Sequence, residues 1–343
     1  MIIAIILFLL LGVSVLTNLG SMFKSFTHLS GMSGNHQRPA GPRLDEVVLE
    51  DNDASEKIAV IPVEGIISSQ LGGRGGYDLV AVVKAQLDRA ANDKKVKAVI
   101  LKVDSPGGEV MASDDIARAI TEFQSHAGKP VIVSMGSLAA SGGYYVSAPC
   151  EWIVANELTI TGSIGVIMQG LNYRGLMDKL GLRPEVFKSG KFKDMLSGSR
   201  EPDSITPEER AMMQKLIDET FAKFKSVVAE GRKNAHESNK EGQALASDWA
   251  DYADGRVLSG KEAFQLGFVD QLGTFDDAVR KAEELGGVKG QANVIEYRQR
   301  NDLAELFSMF GQSESRAFKV DLGLDLLKLQ AGRMYFLSPH FLY

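Results

Sequence analysis

Residues 139 to 145 read Ala139-Ala140-Ser141-Gly142-Gly143-Tyr144-Tyr145, a single hydroxyl set between two alanines and two glycines, after a strand-like run and before a helix-like one. A hydroxyl in such a turn can act as a nucleophile if a base takes its proton and backbone N–H groups receive the oxyanion that forms on an attacked carbonyl. Glycine N–H groups for that purpose are available in Asp104-Ser105-Pro106-Gly107-Gly108, where glycine permits unusual dihedrals and close approach of a substrate. The base is harder to find. The five histidines are His28, His36, His126, His236 and His340, none of them in a strand-to-glycine turn, and His126 is the one serious imidazole candidate. A lysine can serve instead if burial or cationic neighbours bring its amine from about 10.4 toward the working pH. Lys188, Lys191 and Lys193 of FKSGKFKDMLSG lie just past a strand-like run, and spacing alone does not choose among them. Each feature also has a plainer reading. Ser141 alone reads more readily as a helix cap, the glycine pair as a tight turn, and any one lysine as a solvated charge.

Several other chemistries are disfavoured. A formal net charge of −6 provides no basic footprint for nucleic acid. No His-Glu-x-x-His and no phosphate-cradling Gly-x-x-x-x-Gly-Lys-Ser/Thr occurs, so neither a metal site nor a cofactor is expected. The single cysteine, Cys150, has no disulfide partner and reads as a small core residue.

The elements that must position these residues follow an α/β rhythm. Strands are expected over 58–63, 96–103, 131–135 and 152–155, with helical spacing over 79–91 and 116–123 between them. Strand, glycine turn and helix recur, which predicts an α/β domain with like turns along one sheet edge. Thr206-Pro207-Glu208-Glu209 is a capping-box helix start, and Ser259 caps a second helix ending at Gly267. Residues 24–56, polar and then acidic, read as a tether, and 287–343 as a C-terminal segment of unassigned role.

Ahead of the tether, Ile2 to Leu16 is almost unbroken in apolar residues and extends to Phe23, roughly 20 residues and enough to cross ~30 Å of hydrocarbon. Residues 1–23 are therefore expected to be a transmembrane anchor. Lys24, Arg38 and Arg43 after the span favour retention of the downstream chain on the cytoplasmic side.

Five motifs in order, DSPGG at 104–108, SLAASGGYY at 137–145, TGSIGV at 161–166, KSGKFKD at 188–194 and GRVLSG at 255–260, make residues 57–286 resemble the signal peptide peptidase A family of membrane-bound serine proteases in its short, single-repeat form. The resemblance implies a Clp-protease/crotonase-like fold, Ser141 as nucleophile, Lys193 as general base, Ser163 as the hydroxyl orienting the lysine, and Gly108 and Gly142 as oxyanion donors. It further implies a ring of copies, octameric in the short form, with serine and lysine of one site drawn from neighbouring protomers. The peptidase domain would lie outside the cytoplasm, against the charge bias after the span, and act on cleaved signal peptides or other short apolar peptides at the membrane. A crotonase-type acyl-CoA enzyme and a non-catalytic membrane scaffold are the alternatives on the same fold.

Overall fold

The computed structural model describes residues 41–70, 77–239, 241–300 and 334–337. The expected anchor and the first part of the tether lie outside the described residues. Among the described residues no helix is long and apolar enough to cross a membrane.

In chain order the elements are β1 (Leu44–Glu50), β2 (Lys57–Glu64), α1 (Leu79–Asn92), β3 (Val96–Ser105), β4 (Gly107–Glu109), α2 (Val110–Ala127), β5 (Val131–Ala140), α3 (Gly142–Ser147), β6 (Trp152–Ala155), β7 (Ile160–Gly162), α4 (Arg174–Lys179), α5 (Pro207–Asn239), β8 (Val257–Ser259), α6 (Gly260–Gln265), β9 (Gln271–Leu272), α7 (Phe275–Leu285), β10 (Asn293–Gln299) and β11 (Tyr335–Leu337). The main sheet runs β1-β10-β2-β3-β5-β6-β9, with β7 on the far end of β5 and β8 on β7. Every pairing from β10 to β9 is parallel, as is β5 with β7, while β1 and β8 pair antiparallel. The fold is thus a mixed α/β sheet built mainly of parallel strands.

The strands alternate between two cores because successive side chains point to opposite faces. Ala59, Ile61, Val63, Val99, Leu101 and Val133 face α1, α2 and α3, whereas Ile58, Val60, Ile100, Ile132 and Val154 meet Ala278, Val279 and Ala282 of α7. Each of these large aliphatic side chains contributes about 1.5–3 kcal/mol on burial. Truncating fully buried Ile100 to alanine would therefore cost about 2–5 kcal/mol.

Helix ends follow the sequence signals. Asp78 caps α1 by accepting from the Ala81 amide at 2.7 Å, and α2 stops at Gly128 in the left-handed region, φ 62. The capping box read at Thr206/Glu209 is formed, and the Ser259 cap proves to be a box as well, closed by Glu262, with backbone N–H to side-chain oxygen distances of 2.8 to 3.2 Å. The helix begun by that first box, α5, runs on to Asn239.

Both outer limits of the expected domain fall inside the sheet. Residues 44–50, read as tether, form β1, because its backbone pairs with β10 from the other end of the chain. Its charged residues face solvent and only Leu44 and Val47 are half-buried, so it carries little apolar signal. β10 lies beyond residue 286 and inserts between β1 and β2, antiparallel to the first and parallel to the second, burying Val294, Ile295 and Tyr297.

One buried ion pair ties the helical layer to the strand ends. The Arg232 guanidinium on α5 pairs with Asp270 and donates to the Cys150 carbonyl at 2.9 Å and the Ala148 carbonyl at 3.3 Å. Asp270 also accepts from the Ile153 amide at 2.8 Å. Cys150 is fully buried, and burial raises its thiol above the usual range, in keeping with a core role.

Candidate active site

β5 carries the chain to Ala140, and Ser141 turns it sharply into α3 with φ 54 and ψ −114. This conformation costs a non-glycine residue about 1–3 kcal/mol and persists only where surroundings hold it. They do so here. The Ser141 amide donates to the Gly162 carbonyl at 2.8 Å and its carbonyl accepts from the Tyr145 amide at 2.8 Å. A Cβ placed on Gly143 would meet the Ser105 carbonyl oxygen at 2.8 Å, so only glycine fits there. The side chain does not cap α3. Ser141 is 1% exposed and its Oγ has no hydrogen-bond partner among the described residues, a rare condition for a buried hydroxyl.

Gly107 and Gly108 stand beside this turn. The Ile67 amide donates to Gly107 O at 2.9 Å and the Glu109 amide to Ile67 O at 2.7 Å. Alternation along a strand therefore turns the N–H and C=O of Gly108 to the opposite edge. A Cβ placed on Gly142 would lie 3.0 Å from Gly108 N, and one placed on Gly107 would lie 2.6 Å from Gly142 N, so the two candidate oxyanion amides border one small space. A Cβ on Gly108 would lie 1.9 Å from Ile67 O, which makes Gly108→Val a change to the fold as well as to the site. Glu109 fixes the strand from its other end, accepting from Ser69 Oγ at 2.7 Å and from the Ser69 amide at 3.2 Å.

Ser163 is brought alongside by strand pairing. β7 runs parallel to β5 with Ala140 opposite Gly162, so Ser141 and Ser163 leave adjacent strands at matching positions. Ser163 is 3% exposed with φ 49, its amide donates to Arg256 O at 2.7 Å, and it lines an open cavity of about 540 Å³ with Ile167, Phe221 and Asp254.

The lysines separate by their partners. Lys188 pairs with Asp194 at 2.6 Å and Lys191 with Glu208 at 2.5 Å, whereas exposed Lys193 has no ion pair or hydrogen bond among the described residues. The Lys188 hydrogen bond, helped by Arg200, holds the Asp194 carboxyl below its usual range. Lys193 is thus the one of the three not tied to a carboxylate. Among the described residues no lysine amine hydrogen-bonds Ser141, and the expected Ser141–Lys193 contact is not made. His126 is no substitute: it is exposed on α2, with Nδ1 3.0 Å from the Glu122 carbonyl oxygen.

The sequence reading missed the strand that runs along the site. β11 pairs antiparallel with β4, setting Phe336 opposite Gly108, and Tyr335 exchanges both backbone hydrogen bonds with Ile167 at 3.0 and 3.1 Å. Phe336 is fully buried, stacked on Tyr145 with ring centroids 4.8 Å apart and against Phe224 at 4.6 Å. Its sequence signal is a bare apolar run, Met334 to Leu337, and the two tyrosines of AASGGYY were the only hint of an aromatic wall.

A strained, unpartnered serine beside two glycine amides is the arrangement of a hydrolase acting through an acyl intermediate. The model of peptidase family S49 matches residues 123–289. A protein of Synechocystis sp. assigned as a protease is 41% identical over 233 residues, 68% of this chain and 76% of that one. One of Enterococcus faecium assigned as a signal peptide peptidase SppA is 37% identical over 262 residues, 74% of this chain and 71% of that one. Among solved structures, a complex of a membrane-bound stomatin-specific protease variant with a substrate peptide shows a loose likeness, TM-score 0.43 at 17% identity over 75% of this chain and 98% of that one. The chain belongs to peptidase family S49, and its relatives support a serine protease.

Proposed function

We propose that this protein is a serine endopeptidase working through a Ser141/Lys193 dyad, anchored by residues 1–23 with its domain outside the cytoplasm, and degrading cleaved signal peptides or other short apolar peptides at the membrane. The Clp-protease/crotonase-like architecture belongs to the same reading. The observation that carries it is Ser141 itself, buried, in a left-handed turn, its Oγ without a partner and beside the amides of Gly108 and Gly142.

Lys193, in neutral form, takes the proton of Ser141 as Oγ attacks a peptide carbonyl. The tetrahedral oxyanion accepts from the Gly108 and Gly142 amides, each donor being worth roughly 3 kcal/mol in the transition state. The amine proton passes to the leaving nitrogen, and water then cleaves the ester. Ser163 orients the lysine.

Within one chain Ser141 lacks its base, and the segment bearing Lys193 exposes Leu171, Leu180, Val186 and Phe187. Exposed apolar side chains in such number suit burial against another subunit. In this reading copies form a ring, an octamer being the expected size, and Lys193 of one protomer serves Ser141 of the next.

Mixing two inactive variants tests the arrangement. Ser141→Ala and Lys193→Ala should each abolish peptide cleavage and labelling of Ser141 by a fluorophosphonate. Co-assembled in equal amounts, they should regain about a quarter of wild-type activity if each site draws its two residues at random from neighbouring copies. Full activity of Lys193→Ala would defeat the dyad.

A further inference from the structure

The two tyrosines of AASGGYY have no part in the chemistry described so far. Tyr144 and Tyr145 lie on α3, which has six residues, and isolated helices shorter than about 12 residues are marginal in water. The placement of α3, and with it of Ser141 and the Gly142 amide, must therefore come from contacts to its surroundings. Two phenols supply such contacts. Tyr144 donates to the Phe268 carbonyl at 2.9 Å, and Tyr145 donates to Asp114 Oδ1 on α2 at 2.7 Å. A buried phenol needs some acceptor, and a carboxylate makes a shorter and stronger bond than a carbonyl does.

Asp114 stands on the helix that follows Gly108 without a break, since β4 ends at Glu109 and α2 begins at Val110. Gly142 is the first residue of α3. The Asp114–Tyr145 bond thus joins the two helices at whose starts the two oxyanion amides sit. One residue before Asp114, Ser113 Oγ donates to the Glu109 carbonyl at 2.9 Å and lies 2.7 Å from where a Gly142 Cβ would be, so α2 packs directly against the start of α3. The second Asp114 oxygen accepts from Arg118 Nε at 2.9 Å, which fixes the plane of the carboxylate. At the other end of the link the Tyr145 amide donates to the carbonyl of Ser141 itself at 2.8 Å.

The geometry points to Asp114 as a positioning residue of this site: through the Tyr145 phenol it holds α3 against α2, and so sets the spacing of the Gly108 and Gly142 amides and the aim of Ser141. The inference rests on the serine-peptidase reading above. Donors arranged in advance for an oxyanion work only while their spacing is kept. A misplacement of about 1 Å caused far from the chemistry can cost about 10²-fold in rate, so slack of a few tenths of an ångström should cost about tenfold. That loss falls on kcat, because the oxyanion exists only beyond the ground state.

The test follows cleavage of a synthetic apolar peptide by the full-length chain in detergent, together with the rate of fluorophosphonate labelling at Ser141 and a thermal melt to show that each variant is folded. Tyr145→Phe, which removes one oxygen and keeps the ring, and Asp114→Ala should each lower kcat and the labelling rate about tenfold, with KM within about twofold of wild type. Asp114→Asn, which keeps an acceptor, should regain most of kcat. The double variant Tyr145→Phe/Asp114→Ala should be no slower than either single variant, because both break the same bond. If wild type cuts the peptide while both single variants keep its kcat, or raise KM at constant kcat, or multiply their losses in the double variant, the positioning role is wrong and the peptidase reading stands. If wild type neither cuts the peptide nor takes the label, both fall.

Discussion

Ser141 and Ser163 stand one residue beyond the Ala140–Gly162 register pair of two parallel strands, and both hold positive φ, 54 and 49. Two non-glycine residues in the left-handed region, side by side and almost fully buried, are a concentration of backbone strain that packing alone does not call for. The strain turns each hydroxyl out of its strand at the same level of the sheet.

That relationship makes the nucleophile a stability liability. Ser141→Gly should raise stability by about 1 kcal/mol, because glycine takes φ 54 without a Cβ penalty, while peptide cleavage disappears. Denaturant midpoints of the two proteins check it, and a less stable glycine variant would show the turn to be unstrained.

The oxyanion amides are best probed at Gly142. Alanine there places a methyl 3.0 Å from Gly108 N and 2.7 Å from the rotatable Ser113 hydroxyl, so the chain should fold. The methyl borders the space meant for the oxyanion, so kcat should fall about 10²–10³-fold, the scale of losing one donor. Steady-state kinetics beside a thermal melt separate this from simple destabilisation.

Arg200 holds the Glu209 carboxyl down to about 2, with the Thr206 amide second, and through it ties the lysine-bearing segment to the start of α5. A depressed carboxyl contributes stability that is fully present above its unfolded value of about 4.3 and is lost as pH falls through its folded value. Protease nicking between residues 188 and 206 should therefore stay low at neutral pH and rise from about pH 4 toward 2. Glu209→Gln should show the acid-like nicking already at pH 7, as followed by mass spectrometry of fragments.

Breaking the Arg232–Asp270 pair should cost about 3–5 kcal/mol in Asp270→Asn or Arg232→Met alone, since the survivor stays buried and uncompensated. The double variant Arg232→Met/Asp270→Leu should recover much of that loss. Urea denaturation of the three variants measures it.

The parallel βα units were legible because their apolar residues recur at strand and helix periods, and the Thr206/Glu209 capping box and the Ser259 cap were legible because the chemistry is local. Ser141, Ser163, Gly108 and Gly142 became candidates through ordered motifs; strand pairing sets the two serines at matching positions, and Gly108 N and Gly142 N border one space. Lys188, Lys191 and Lys193 could not be told apart from spacing. Ion pairs to Asp194 and Glu208 separate them, and those partners are set by three-dimensional placement. β1, β10 and β11 were missed for a related reason. Each is defined by pairing with a strand more than 220 residues away in the chain, and β1 hides its two inward residues among acidic ones that no local pattern reads as a strand.

β10 supplies the strand that covers the edge of β2, yet it is synthesised some 230 residues later. A ribosome must deliver residue 299 before that flank is sealed, and until then a row of unpaired amides and carbonyls waits beside an otherwise complete parallel core. Nascent chains halted short of this point should be the ones that aggregate or recruit chaperones, which gives the protein a built-in checkpoint linking delivery of β10 to the first appearance of a sealed sheet.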